Sequence, residues 1–282
     1  MSPLFVGGRK IYGSLSSAPS SGVTEGDEYY NSAENQKYIY SGATNSWRKA
    51  SGGISTSDAD PFGDSSAIAT FPLNGNATSL SGTTFSGTLS GDNGGSNFAT
   101  GGQYGQYWIG SGSTHLSSTS TDIRPSGSFS LTFWYKSNTT GQDNKRLLTV
   151  QGSTICAGWN NYNNSLGFYT GTGSSNVNTT PLVTRVAQIP DAQINDNSWH
   201  HLGFTISATN TWSIYLDGYA YSGAVSGEQR SFNNGTYFAV TTYETGDNYN
   251  TIGGVDQIRL FSRVITASEI HCLLYTSPSP RD

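Results

Sequence analysis

Two adjacent histidines, a few scattered acids and several clusters of aromatic and amide side chains are the residues of this chain that could do chemistry. His200 and His201 could suggest a metal ligand pair, but neighbours along a strand project to opposite faces, so the two cannot chelate one ion and read as structural. Retaining cleavage of a glycosidic bond needs two carboxyl groups roughly 5 Å apart on one face. Between Ala67 and Ile270 the glutamates are Glu228, Glu244 and Glu269, and none stands at strand spacing from another acid in that pattern. Glu244 and Asp247, three positions apart, would fall on opposite faces of an alternating strand. No Gly-x-Ser-x-Gly elbow marks an activated serine, and Gly110-Ser111-Gly112 has the surroundings of a turn. The chain therefore reads as non-enzymatic, with no catalytic residue.

Binding chemistry is better represented. The run CAGWNNYNNSLGFYTGTG reads as a hairpin with an Asn-rich tip, and it groups Trp159, Asn160, Tyr162, Asn163 and Tyr169. Ring faces can cover the C–H patches of a pyranose while amide side chains bond its hydroxyls, so these residues are candidate carbohydrate contacts. The alternative is that Trp159 and Phe168 are core residues and the asparagines only shape turns. YETGDNYN, with Tyr243 and Tyr249, is a second candidate patch. For calcium, Asp217, Asp247 and Asp256 are weak candidates without an evident set of partner oxygens, whereas the ion takes about six to eight. No cofactor is assigned.

These residues need strands to position them. In NDNSWHHLGFTISATNTWSIYLDG, Leu202, Phe204 and Ile206 fall on one side and Trp199, His201, Gly203 and Thr205 on the other. Trp212, Ile214 and Leu216 share a face in the second half, and Asp217-Gly218 supplies a pair that tolerates left-handed backbone. The stretch is a hairpin. Composition agrees: only 12% of residues are charged and 35 are Gly, which suits many short strands joined by polar turns. By alternation, Asp256 shares a phase with Ile258 and Leu260 and is expected inside, with His200 or backbone amides near the last helix as its partners. Thr266 and Glu269 are spaced for a capping box.

A net charge of −5 with scattered basic residues argues against nucleic acid as a partner. No apolar run approaches a membrane span and no signal peptide is evident, so neither membrane insertion nor Sec export is expected. Residues 51–66, rich in Ser, Gly and Asp, read as a flexible linker; Asp58, Asp60 and Asp64 lack the closing Glu of a calcium loop. Before it, EYYN, QKYIYS and WRKA make 1–50 a small β-meander, which needs a neighbour or an oligomer because three strands cannot bury a core.

Four landmarks resemble the laminin G-like domains of the concanavalin A-like lectin and glucanase superfamily. They are the Trp-His-His strand with its Tyr-x-Asp-Gly hairpin, VDQIRLFSRVITASEI, SFSLTFWYK and ATFPLNGNAT. The resemblance implies an all-β, antiparallel two-sheet jelly-roll sandwich over 67–271 that binds glycans. Relatives often carry acids after the opening turn and near residue 110, and this chain has Ala77, Thr78 and Ser79 and then Trp108 to His115 there, which weakens an inherited calcium site. GDEYYNSAENQKYIYSGATNSWRKAS resembles a module of bacteriophage tail and fibre proteins. Together the resemblances imply a receptor-binding protein of a virion, a homotrimer within a fibre, whose partner is a cell-surface glycan; the alternative is a cell-surface adhesin or an accessory module of a polysaccharide-degrading system. The last stretch, 272–282, resembles a translated sequencing adaptor and is expected to lie outside the fold, with the natural chain running on past His271.

Overall fold

The structure, a computed structural model, describes residues 4–6, 9–15, 17–24, 27–31, 36–41, 46–49, 59–91, 97–111, 114–123, 125, 127–140, 145–150, 155–159, 165–170, 186–209, 211–221, 225–226, 238–241 and 251–274. The chain divides into two compact units, Met1–Ser65 and Ser66–Asp282.

In the first unit, β1 (Leu4–Val6), β2 (Arg9–Leu15), β3 (Glu28–Asn31), β4 (Gln36–Ser41) and β5 (Ser46–Lys49) lie side by side in chain order. β3, β4 and β5 are the three strands expected, and they pair antiparallel. The expectation of a plain meander is corrected at the other edge, where β2 runs parallel to β3. The connection over 16–27 is long enough to carry the chain back to the start of the sheet, as a parallel pair requires. Asp27 is fully buried at the end of that connection and accepts the N–H groups of Lys10 and Thr24, each at 2.8 Å. Tyr29 packs between Tyr38 (5.3 Å between ring centroids) and Trp47 (4.8 Å), which gives this small sheet an aromatic face. Of residues 51–66, only 59–66 are described; there Asp60 Oδ2 accepts the Ser65 N–H at 2.7 Å and closes a turn.

The second unit contains β6 (Ala67–Phe71), β7 (Ser90–Gly91), β8 (Phe98–Gly102), β9 (Gly105–Ser111), β10 (Leu116–Ser118), β11 (Phe129–Lys136), β12 (Arg146–Val150) and β13 (Ile155–Trp159). There follow β14 (Ser165–Thr170), β15 (Val186–Pro190), β16 (His200–Ile206), β17 (Thr211–Leu216), β18 (Tyr219–Ala220), β19 (Val225–Ser226), β20 (Phe238–Val240), β21 (Ile252–Phe261) and the helix α1 (Ala267–Leu273). Two antiparallel sheets result. One has seven strands in the order β15-β14-β13-β12-β20-β10-β7; the other has nine, β18-β17-β16-β11-β21-β9-β8, with β19 beside β17 and β6 beside β21.

Alternation explains what lies between the sheets. Phe129, Leu131, Phe133 and Tyr135 of β11, Leu202, Phe204 and Ile206 of β16, and Trp212 and Ile214 of β17 join Leu148, Val150, Phe238 and Val240 of the seven-stranded sheet in one buried core. Each such side chain contributes about 1.5–3 kcal/mol of burial. The Asp217-Gly218 pair turns β17 into β18 with both residues left-handed (φ 51° and 82°), so Leu216 faces Tyr219 across a two-residue hairpin. The fold is thus the antiparallel sandwich expected from the sequence.

β21, the central strand of the larger sheet, departs from simple alternation. Its register against β11 slips between Thr132 and Trp134, and Gln257 adopts φ 47°. This is a β-bulge, and the inserted residue reverses the phase. Val255, Ile258 and Leu260 all reach the core, while Asp256 stands opposite Trp134 on the other face. The expectation that Asp256 shares the phase of Ile258 and Leu260 is therefore corrected.

α1 begins as the sequence indicates. Thr266 Oγ1 accepts the Glu269 N–H at 3.2 Å and Glu269 Oε2 accepts the Thr266 N–H at 2.7 Å, a complete capping box. Arg263 clasps the same carboxylate at 3.0 and 2.7 Å. The helix continues through Cys272 and Leu273, and Leu273 is fully buried. Residues 272–274 are hence part of the fold, contrary to the expectation that everything past His271 lies outside it; the apolar leucine continues the buried stripe set by Ile270.

Candidate functional site

The outer face of the nine-stranded sheet carries an unusual concentration of polar and aromatic side chains. Strand parity puts them there: Thr132 and Trp134 of β11 alternate with its core residues, as do His201, Gly203 and Thr205 of β16. Trp134, His201, Asp256 and Arg259 are all nearly or fully buried, because the tip of the β8–β9 hairpin folds over them from one side and Ile270 of α1 lies over Gly203 from another.

Asp256 is the ionisable centre of this layer. Tyr104 donates its backbone N–H to Asp256 Oδ2 at 3.1 Å, and the Tyr104 ring stands edge-on to Trp134 with centroids 6.2 Å apart. The donor is a hairpin-tip amide; neither His200 nor the start of α1 supplies it. Burial raises the Asp256 carboxyl to about 6, against the backbone N–H groups of Tyr104, Gln257 and Gln103 and the charge of Arg259, which favour ionisation. His201, 5.2 Å from Trp134 between ring centroids, is pushed the other way: burial and the Arg259 charge lower it to about 3, so it stays neutral at physiological pH.

His200 points elsewhere. Its Nδ1 lies 3.0 Å from Asp217 Oδ2 and its Nε2 lies 3.1 Å from Asp196 Oδ1. Both ring nitrogens thus meet carboxylates, an arrangement that suits the doubly protonated ring. The hydrogen bond that the ring donates to Asp217, followed by the one it donates to Asp196, raises the His200 pKa above its ordinary value despite partial burial. Asp217 Oδ1 also accepts the His201 N–H at 2.9 Å, which ties the turn after β17 to the start of β16.

Between the clamp and the hairpin tip lies an aromatic pair. Tyr107 of β9 and Trp199, just before β16, are partly exposed and meet edge to face, 5.1 Å apart at 84°. The Trp199 indole N–H donates to the Gly101 carbonyl at 3.1 Å. Neither residue is among the candidates that sequence reasoning selects. The available signal is Trp199 itself, a tryptophan whose strand phase points away from the core.

The carbohydrate candidates fall almost wholly outside the described residues. Asn160, Tyr162, Asn163, Tyr243 and Tyr249 lie there, and of Trp159 and Tyr169 only the backbone is described: Trp159 ends β13 opposite Leu166, and Tyr169 stands opposite Cys156. Of the calcium candidates, Asp217 and Asp256 are committed to the bonds above and Asp247 lies outside. Among the described residues no group of three or more His, Cys, Asp or Glu is placed to hold a metal ion, and no helix is long and apolar enough to cross a membrane.

The family described as the concanavalin A-like lectin/glucanases superfamily matches residues 110–271. No curated protein matches the sequence. Among solved structures, domain 4 of AbnA, a GH43 extracellular arabinanase from Geobacillus stearothermophilus solved with arabinotriose, aligns with a TM-score of 0.57 at 16% identity, over 74% of this chain and 98% of that one. The binding domain of Paraclostridial Mosquitocidal Protein 1 aligns with a TM-score of 0.54 at 13% identity, over 74% and 52%. That of botulinum neurotoxin serotype D gives 0.52 at 12% identity, over 74% and 51%, so this chain spans about half the length of the toxin domains. At these identities the likeness concerns the fold.

Proposed function

The chain belongs to the concanavalin A-like lectin/glucanases superfamily, and from that premise we infer that its sandwich binds carbohydrate without cleaving it. The observation that carries the second half is how its acids are used. Asp196 and Asp217 clamp His200, Asp256 takes a backbone amide, and Glu269 is spent on Arg263 and the Thr266 cap. Each of these described carboxylates is thus engaged by a structural partner, which is not how the acid and nucleophile of a hydrolytic pair are held. The sugar platform of this reading is the β13–β14 hairpin, with Trp159, Asn160, Tyr162, Asn163 and Tyr169, joined by Tyr243 and Tyr249.

The ligand is a glycan of a host cell surface, and the protein is the receptor-binding part of a phage tail fibre. The resemblance of GDEYYNSAENQKYIYSGATNSWRKAS in the first unit to a module of phage tail and fibre proteins supports this. A second reading, an accessory module of a polysaccharide-degrading system, draws support from the likeness to domain 4 of an arabinanase over nearly that domain's whole length. Glycan-array binding tests the first inference, and incubation of a bound polysaccharide with assay of new reducing ends tests the absence of cleavage. Release of reducing ends would refute the non-catalytic reading. Tail or baseplate genes beside the coding sequence favour the fibre, and polysaccharide-degradation genes favour the accessory module.

A further inference from the structure

We propose that Tyr107 and Trp199 form a second saccharide-contacting platform, on the outer face of the nine-stranded sheet, and that its ligand is a neutral sugar. This rests on the carbohydrate-binding reading above and adds to it a place and a ligand class.

The floor beneath the two rings is Gly254, a buried residue in the middle of the sheet. A Cβ there would come within 2.7 Å of Tyr107 Cε2 and 3.1 Å of Trp199 Cη2, so both rings rest directly on the β21 backbone. A strand interior gives up packing and conformational entropy by using glycine, and close approach of another group is the usual reason. Trp199 is then held at its indole nitrogen and through the backbone on both sides of it. Its indole N–H is held by Gly101, the clamped His200 follows it, and before it Ser198 N–H bonds Asp196 Oδ1 at 2.7 Å while Asn197 N–H bonds the Ser137 carbonyl at 2.9 Å. So thoroughly anchored a ring, left partly in solvent, is pre-organised: a ligand that stacks on it costs the protein little further ordering.

The rim supplies hydrogen bonds. Lys136 stands opposite Gly254 on the same face and is partly exposed. Asp196 and Asp217, bonded to the backbone N–H groups of Ser198 and His201 on either side of Trp199, keep 46% and 44% of their side chains in solvent while holding His200. Two carboxylates against one ammonium and one imidazole leave no surplus positive charge to hold an acidic sugar, even with His200 protonated. Aromatic surface and an amine on one face, with no net charge nearby, suit the C–H patches and hydroxyls of an uncharged saccharide.

The test uses the full chain and a panel of neutral, sialylated and uronic-acid glycans on an array, with affinities for the best neutral glycan from titration calorimetry. Trp199→Ala and Tyr107→Ala are expected to weaken that affinity about tenfold or more, with melting temperatures checked in parallel. Should either alanine variant fail to fold, Trp199→Phe keeps a ring over Gly254, and the sugar-induced change in tryptophan fluorescence of the wild type must then be lost. Wild-type affinity in the Trp199 and Tyr107 variants, with loss confined to Trp159→Ala or Tyr249→Ala, would overturn the platform and leave the carbohydrate reading intact. Preference for sialylated over neutral glycans overturns the ligand class. A wild-type chain that binds no glycan on the array sinks this proposal together with the reading beneath it.

Discussion

Replacing Asp256 by asparagine should make the protein more stable in alkali and change little in acid. The side chain is fully buried, and burial lifts its pKa from 3.8 to about 6. A carboxyl whose folded pKa lies above its unfolded value contributes stability that is complete below pH 3.8 and is lost as pH rises toward 6, because the native state binds the proton more tightly. Two pKa units amount to about 3 kcal/mol in full, of which about 2 kcal/mol falls between pH 4.5 and pH 8. Asparagine keeps an acceptor oxygen for the Tyr104 N–H and never ionises, so Asp256→Asn removes this loss. Urea unfolding at pH 4.5, 6 and 8 and constant ionic strength, followed by tryptophan fluorescence, measures it; all tryptophans but Trp47 belong to the sandwich unit. Other titrating groups cancel in the difference between the two proteins. Parallel stability curves, separated by the same amount at every pH, would refute the reasoning and mean that the Asp256 charge is satisfied where it lies.

Thr266→Ala removes the Oγ1 that accepts the Glu269 N–H and should cost about 1 kcal/mol in denaturant unfolding. Gly254→Ala pushes a methyl group into Tyr107 and Trp199 and should cost about 1–3 kcal/mol; an unchanged melting temperature would show that the rings yield freely. His200→Gln should flatten a different part of the pH profile: the raised pKa of His200 makes its contribution complete below its unfolded value near 6.5 and lost as pH climbs through the folded one, which melting at pH 6 and pH 8.5 will detect. Added calcium or chelator should leave the melting temperature in place, and a calcium-dependent rise would mean that Asp217, Asp247 or Asp256 has oxygens at hand beyond those described.

The sandwich was legible because its strands obey a period of two. The hairpin from His200 to Leu216, the left-handed Asp217-Gly218 turn that follows it and the Thr266–Glu269 cap all depend on residues within a few positions of each other, and local chemistry determines them. What the sequence concealed is non-local. Gln257 gives no local sign of the bulge that sends Asp256 to the outer face, since the slip is set by how β21 fits against β11. The partnership of Tyr107 with Trp199 joins residues from opposite halves of the unit and shows only once Gly254 is seen beneath them. β2 eluded notice because its residues, RKIYGSL, look like an unpatterned basic lead when the parallel partner is unknown.

β21 sits at the centre of the larger sheet although it comes near the end of the chain, and it pairs with β6, β9 and β11, which come early. On the ribosome the sheet therefore waits for its middle strand. Until Ile252–Phe261 emerges, β9 and β11 have open edges facing a gap, and the newly made chain must keep those edges from other chains. Contacts as distant as Phe71 with Ile258 place this domain among slowly closing topologies, with folding times of milliseconds to seconds. Expression conditions that slow aggregation rather than speed synthesis should raise its yield.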